Sequence, residues 1–201
     1  MATLAFPLAA TLLGAFVLQV VTTAILLSAL YAVVESRRLF RVMAVLMVPT
    51  ILVNWFADPA NFPYLDGLGH VATMTFFVVT LGAILANIVN AKRVTADVIF
   101  GSIAAYLLFG VVMALAFQFL NTLDPGNVIS SVSDTTELSQ RAALSDFLYF
   151  SFITLTSVGY GDIAPVGQAA RSLAMFEGIF GQMYVAILIA MLVSVHISQK
   201  D

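Results

Sequence analysis

Thr154-Leu155-Thr156-Ser157-Val158-Gly159-Tyr160-Gly161-Asp162 is the stretch on which the reading of the whole chain turns. Gly159 and Gly161 alternate with two large side chains, Val158 and Tyr160. L-residues resist a backbone that alternates between right- and left-handed conformations, and glycine lifts that resistance. Such a segment can turn successive carbonyl oxygens toward one axis while Val158 and Tyr160 face outward as struts. The hydroxyl of Ser157 adds an oxygen at one end of the row, after Thr156. Just upstream, Ser145 to Leu155 forms an apolar run of about 11 residues, where a helix crossing a bilayer needs about 20. A helix that enters the membrane and turns back fits that length.

Composition gives this stretch its setting. Of 201 residues, 61% are hydrophobic and 9% charged, against roughly 25% charged in soluble domains. Lipid can solvate such a surface and water cannot. The net charge of −3 leaves no basic stripe to neutralise phosphates, so no nucleic-acid partner is expected. There is no cysteine, and the two histidines, His70 and His196, fall in different segments. A His-based metal site is not expected. Nor is an intramembrane hydrolase, which would need a Ser or Asp nucleophile beside a base. No small-molecule substrate is expected either.

Met1 to Val34 carries no charge. A secretory signal would show a basic start and an apolar core of about 7–15 residues, so this segment reads as a retained spanning helix. Apolar stretches of spanning or near-spanning length run from about Pro7 to Val34, Val42 to Ala57, His70 to Asn90, Thr95 to Leu120 and Arg171 to Ser198. The second is short and contains Pro49, which predicts a kink or a thin crossing. Five spans place Arg37, Arg38 and Arg41, then Lys92 and Arg93, then Lys200 on one side. By the positive-inside rule that side is cytoplasmic. The expected N-terminus is then extracytoplasmic, the C-terminus cytoplasmic, and the protein multi-pass in the plasma membrane.

A dehydrated potassium ion needs oxygen ligands that replace its water shell, and four copies of the 157–161 segment around an axis would supply stacked oxygen cages. Residues 95–198 resemble the pore module of the tetrameric potassium channels. The filter carries the resemblance together with Phe147-Leu148-Tyr149-Phe150-Ser151-Phe152-Ile153, which looks like the family's pore helix. Ser145 is positioned to N-cap that helix, and Asp146 in its first turn complements the dipole. Pro165 follows the filter at the family's spacing, and Arg171 opens the inner helix.

The resemblance implies an all-α membrane protein: a pore module of outer helix, re-entrant pore helix, filter and inner helix over residues 94–201. About three transmembrane helices precede it over residues 1–93. It implies a homotetramer in the lipid bilayer with K+ as the permeant ion, bound by Ser157, Val158, Gly159, Tyr160 and Gly161. Thr156, Asp162 and Tyr149 are supporting residues, and Gly181 falls where many relatives have the glycine at which the inner helix is thought to bend. Three departures stand out. Ser157 replaces the family's commoner Thr, Tyr149 and Phe150 replace a Trp behind the filter, and Ile153 replaces a Glu found in some bacterial members. Tyr149 keeps a donor that can reach Asp162.

Other polar residues have plainer readings. Glu177, inside the last span, is expected to hydrogen-bond the back of the pore helix. His70 and His196 read as interfacial residues, and Asp97 as an ion-pair partner of Lys92 or Arg93. Gly178 and Gly181 share nearly one helix face, and packing against the pore helix is the alternative to bending. A voltage sensor needs a basic residue at every third position of a spanning helix, and residues 70–90 contain none. With about three residues after the last span, no ligand-binding domain is expected to follow. The competing readings are a poorly selective monovalent cation pore and a non-conducting partner subunit.

Overall fold

The computed structural model describes residues 63–91, 95–124, 128–131 and 144–198, with isolated residues 20, 23, 41, 44, 45, 47, 48, 50 and 51. Apart from those isolated residues, the expected first two spans lie outside what is described, as does the side chain of His196. The chain divides into two compact units, Met1–Thr80 and Leu81–Asp201. Three described helices are long and apolar enough to cross a membrane, over Gly69–Val89, Ala96–Leu123 and Gln168–Met191. This is a multi-pass, mostly helical membrane protein.

Helix α1, Pro63–Val89, begins on a proline, the residue whose fixed φ and missing N–H suit a first helical position. In its first-unit portion, Thr73, Thr75 and Thr80 each donate to the carbonyl four residues back. These bonds let hydroxyls sit in an apolar helix without an external partner.

The second unit holds the remaining elements. Helix α2, Ala96–Leu123, starts after an extended Thr95 and carries Asp97 in its first turn, where a negative charge favours the helix dipole. Helix α3, Leu144–Leu155, is the short apolar helix, with Asp146 in its first turn. Ser145 was expected to cap this helix. The helix already includes Leu144, so Ser145 lies within the first turn. Helix α4, Gln168–Ser198, is the longest described element and starts three residues before Arg171.

One feature departs from all-α expectation. Strand β1, Ile129–Ser131, pairs antiparallel with β2, Ile163–Pro165, in the register Ile129 with Pro165, Ser130 with Ala164 and Ser131 with Ile163. The Val166 amide extends the ladder to the Val128 carbonyl at 3.0 Å. This ribbon fastens the loop after α2 to the segment that leaves residues 157–162.

The core of the second unit forms around α3. Phe147, Phe150 and Leu155 pack with Phe109, Met113, Ala114 and Phe117 of α2, with Val128 just before β1 and Ile129 in it, and with Ala170 of α4. Helices α2 and α4 meet through rings. Phe109 lies 4.1 Å from Phe180 between centroids, and Tyr106 stacks on Tyr184 at 5.6 Å. Tyr184 also donates to the Ser102 carbonyl at 2.7 Å, giving its hydroxyl a partner at membrane depth.

Candidate functional site

Residues 157–162 issue directly from the C-terminal cap of α3. The Ser157 amide donates to the Thr154 carbonyl at 3.0 Å and the Val158 amide to the Ile153 carbonyl at 3.0 Å. That nested pair closes a helix with a residue in left-handed conformation, a place usually taken by glycine. Here the residue is Ser157, with φ of 57°. Gly159 and Gly161 are also left-handed, at 52° and 80°. Left-handed backbone thus recurs at every second position, the alternation read from the glycines. Within the chain a Cβ at either glycine would have nothing within 4 Å, and the left-handed conformation is itself a reason for glycine there.

The last residue of α3 is held from both sides. Leu155 is fully buried. A Cβ added at Gly110 of α2 would lie 2.9 Å from Phe152 Cε1 and 3.1 Å from Leu155 Cδ2. One added at Gly181 of α4 would stand inside van der Waals contact of the Leu155 carbonyl oxygen and 2.9 Å from Leu155 Cδ1. Gly178 is looser, with the Thr154 carbonyl oxygen at 3.9 Å. Both glycines of α4 therefore face the end of α3, and Gly181 has a packing reason to lack a side chain. The Tyr106 hydroxyl donates to the Leu155 carbonyl at 3.1 Å.

Behind α3, buried Ser151 joins three helices. Its Oγ donates to the Gly110 carbonyl at 2.7 Å and lies 2.5 Å from Glu177 Oε1. Glu177 is fully buried, and its Oε2 has no partner among the described residues. As read from the sequence, this carboxyl hydrogen-bonds the back of the short helix.

At the front, the Tyr149 hydroxyl donates to Asp162 Oδ2 at 2.6 Å. Donating to a carboxylate stabilises the protonated phenol, which is pushed up to about 12. The Arg171 Nε donates to the Pro165 carbonyl at 3.3 Å, holding the exit of the segment to the start of α4. At the other end, the Gln182 amide Nε2 donates to Ser157 Oγ at 2.8 Å. Val158 and Tyr160 are 51% and 72% exposed.

Four contributors escaped sequence reading: Gly110, Ser151, Gln182 and Tyr106. A polar residue in an apolar helix must find a partner, which is the signal that Ser151 and Gln182 offered. Gly110 gave no such signal, because a helical glycine does not announce what approaches it. His70 is half-buried and Asp97 exposed. Lys92 and Arg93, the expected partners of Asp97, are outside the described residues. Among the described residues no group of three His, Cys, Asp or Glu side chains could hold a metal ion.

A family profile described as "Ion channel" matches residues 101–197, which takes in most of α2, all of α3 and residues 157–162, and nearly all of α4. The chain is 35% identical over 90 residues to two pore potassium channel c of Oryza sativa subsp. japonica, covering 45% of this chain and 18% of that protein. It is 30% identical over 98 residues to protein LctB of Bacillus caldotenax, 48% of this chain and 71% of the relative. With protein LctB of Geobacillus stearothermophilus it shares 37% over 65 residues, 32% of this chain and 48% of the relative. The chain thus spans less than a fifth of the rice protein and most of one of the two LctB proteins. No solved structure matches it.

Proposed function

Since the chain belongs to the ion-channel family, we propose that it forms a homotetrameric channel conducting K+ passively down its gradient. Ser157, Val158, Gly159, Tyr160 and Gly161 would line the axis. The observation that carries this reading is the left-handed backbone at 157, 159 and 161. Alternation of that kind aims successive carbonyls to one side, and only oxygen ligands in such a row replace the water around a dehydrated cation.

Four-fold assembly is supported by what one copy leaves uncovered. Val158 and Tyr160 stand exposed beside the buried α3, and α4 exposes Met175, Ile179, Met183 and Ile187. Other copies of the chain would cover the first pair, and other copies or lipid the second group. Thr156, Asp162 and Tyr149 are proposed as supports of the filter, and residues 94–201 as the pore module behind an N-terminal region of 1–93. Gly181 is kept as the candidate bending point, now with a packing duty at the same position. The basic residues at 37, 38, 41, 92, 93 and 200 support a plasma-membrane orientation with the C-terminus in the cytoplasm.

The test is K+ flux from vesicles that contain only the purified protein, with reversal potentials in mixed sodium and potassium. Passive flux with reversal near the potassium equilibrium potential is the expected result. Equal permeation of the two ions would favour a poorly selective cation pore. Steep voltage dependence is not expected, because moving one charge through 100 mV supplies only about 2.3 kcal/mol and residues 70–90 offer no basic charge.

A further inference from the structure

Ser157 is the first oxygen-bearing position of the filter, and two of its properties make its hydroxyl hard to hold. It sits at φ of 57°, a left-handed conformation that L-residues resist. It also lacks the branch that restricts χ1 in threonine, so a serine hydroxyl can turn among staggered positions. A ligand oxygen that wanders discriminates poorly between ions of different size.

We infer that Gln182 is a selectivity-determining positioning residue, which fixes the Ser157 hydroxyl for the ion through its side-chain amide. The bond from Gln182 Nε2 to Ser157 Oγ is 2.8 Å long. It crosses from α4 to the filter within one subunit. A hydroxyl oxygen has two lone pairs. The amide N–H takes one and so restricts how the hydroxyl turns, leaving the other for the ion in the proposed assembly. Gln182 directly follows Gly181 in the chain, and the missing side chain at Gly181 brings α4 against the Leu155 backbone. The glycine sets the distance between α4 and the end of α3, and the next residue uses that distance to reach Ser157. A glutamine in an otherwise apolar helix segment, Met183-Tyr184-Val185-Ala186-Ile187 following it, has its partner demand met here.

The inference rests on residues 157–161 being the filter, and one preparation separates failure of that premise from failure of the inference. Reversal potentials in mixed sodium and potassium are measured for the full chain in vesicles. The set is wild type, Gln182→Met, Gln182→Asn, Ser157→Thr, and the double variant that combines Ser157→Thr with Gln182→Met. Methionine keeps the length and removes the donor; asparagine keeps the donor and falls short. Each single change at 182 is expected to lower the potassium-to-sodium permeability ratio by about three- to ten-fold, the equivalent of one net hydrogen bond. In the Ser157→Thr background the β-branch fixes the hydroxyl itself, so the added Gln182→Met is expected to change the ratio by less than about two-fold. Elution as the wild-type oligomer checks assembly, and two variants at position 182 guard against one that fails to assemble. Unchanged selectivity in both single variants at 182 would overturn the inference. So would an equal loss whether residue 157 is Ser or Thr, since Gln182 would then act elsewhere. A wild type that passes both ions alike overturns the filter reading itself, and the inference with it.

Discussion

The two faces of α3 and the segment it launches are finished to different degrees. Behind α3, one subunit suffices. Phe147, Ser151 and Leu155 are fully buried, Gly110 and Gly181 admit close approach, and Ser151 and Tyr106 fasten neighbouring carbonyls. In front, Val158 and Tyr160 lie uncovered beside a backbone that is left-handed at every second residue. The back is a completed protein interior and the front is an edge. Substitutions behind α3 should therefore be read out in stability of the single fold, and those in front in conduction.

The strongest test of that division is Gly161→Ala. Space for a methyl exists, but φ of 80° disfavours any side chain. Potassium flux is expected to disappear while circular dichroism and oligomer elution stay as in wild type. Unchanged flux in the folded variant would sink the filter assignment.

Gly181→Ala should do the opposite and destabilise the fold. The new methyl meets a backbone oxygen, which cannot rotate aside as a side chain would. Overpacking of this kind costs about 3 kcal/mol at its upper range, read as a lower thermal midpoint of the solubilised oligomer. A glycine serving only as a bending point would instead leave stability intact or raised, with a drop in single-channel open probability.

Ser151→Ala removes the hydroxyl that lies between the Gly110 carbonyl and Glu177 Oε1, so the buried Glu177 carboxyl loses that polar neighbour. A loss of about 2 kcal/mol is expected in the same thermal assay. Stability equal to wild type would mean that the tie between the three helices is dispensable.

Smaller effects should come from Tyr149→Phe. Because the phenol is pushed from near 10 up to about 12, its proton is held more tightly in the folded state. The tie is fully present below pH of about 10 and is lost as pH rises through about 12. Ultraviolet titration should lose a phenolate step near pH 12 in the variant, and wild-type flux should outlast variant flux under sustained conduction. Gly178→Ala closes the series. With 3.9 Å to the nearest oxygen, it should be neutral or gain up to about 1 kcal/mol from helix propensity.

The front was far more legible in the sequence than the back. Alternating glycines encode a local backbone requirement, so Gly159 and Gly161 disclosed their conformation without reference to any neighbour. The extents of α2 and α4 were also legible, since hydropathy marks where lipid begins and ends, and both lie within three residues of the expected limits; α1 begins at Pro63, seven residues before the expected start. Glu177 stood out because a carboxyl at membrane depth must be answered. Ser157 hid its left-handed φ, since that place in a helix cap ordinarily belongs to glycine. Strands β1 and β2 were invisible because three residues are too few to establish a two-residue period. Leu155 between Gly110 and Gly181 was out of reach for a different reason: hydropathy says that a residue is buried and not which helix buries it.

The seat of Leu155 also bears on how such sequences drift. At Gly110 the obstacle to a larger residue is side-chain carbon, Phe152 Cε1 and Leu155 Cδ2. A smaller residue at 152 or 155 can make room, so homologous chains should vary at these positions in concert. At Gly181 the obstacle includes the Leu155 carbonyl oxygen, which every amino acid at 155 would carry. No partner substitution there can compensate. Lineages are thus free to trade volume across the contact between α2 and α3, while the contact between α3 and α4 holds position 181 to glycine.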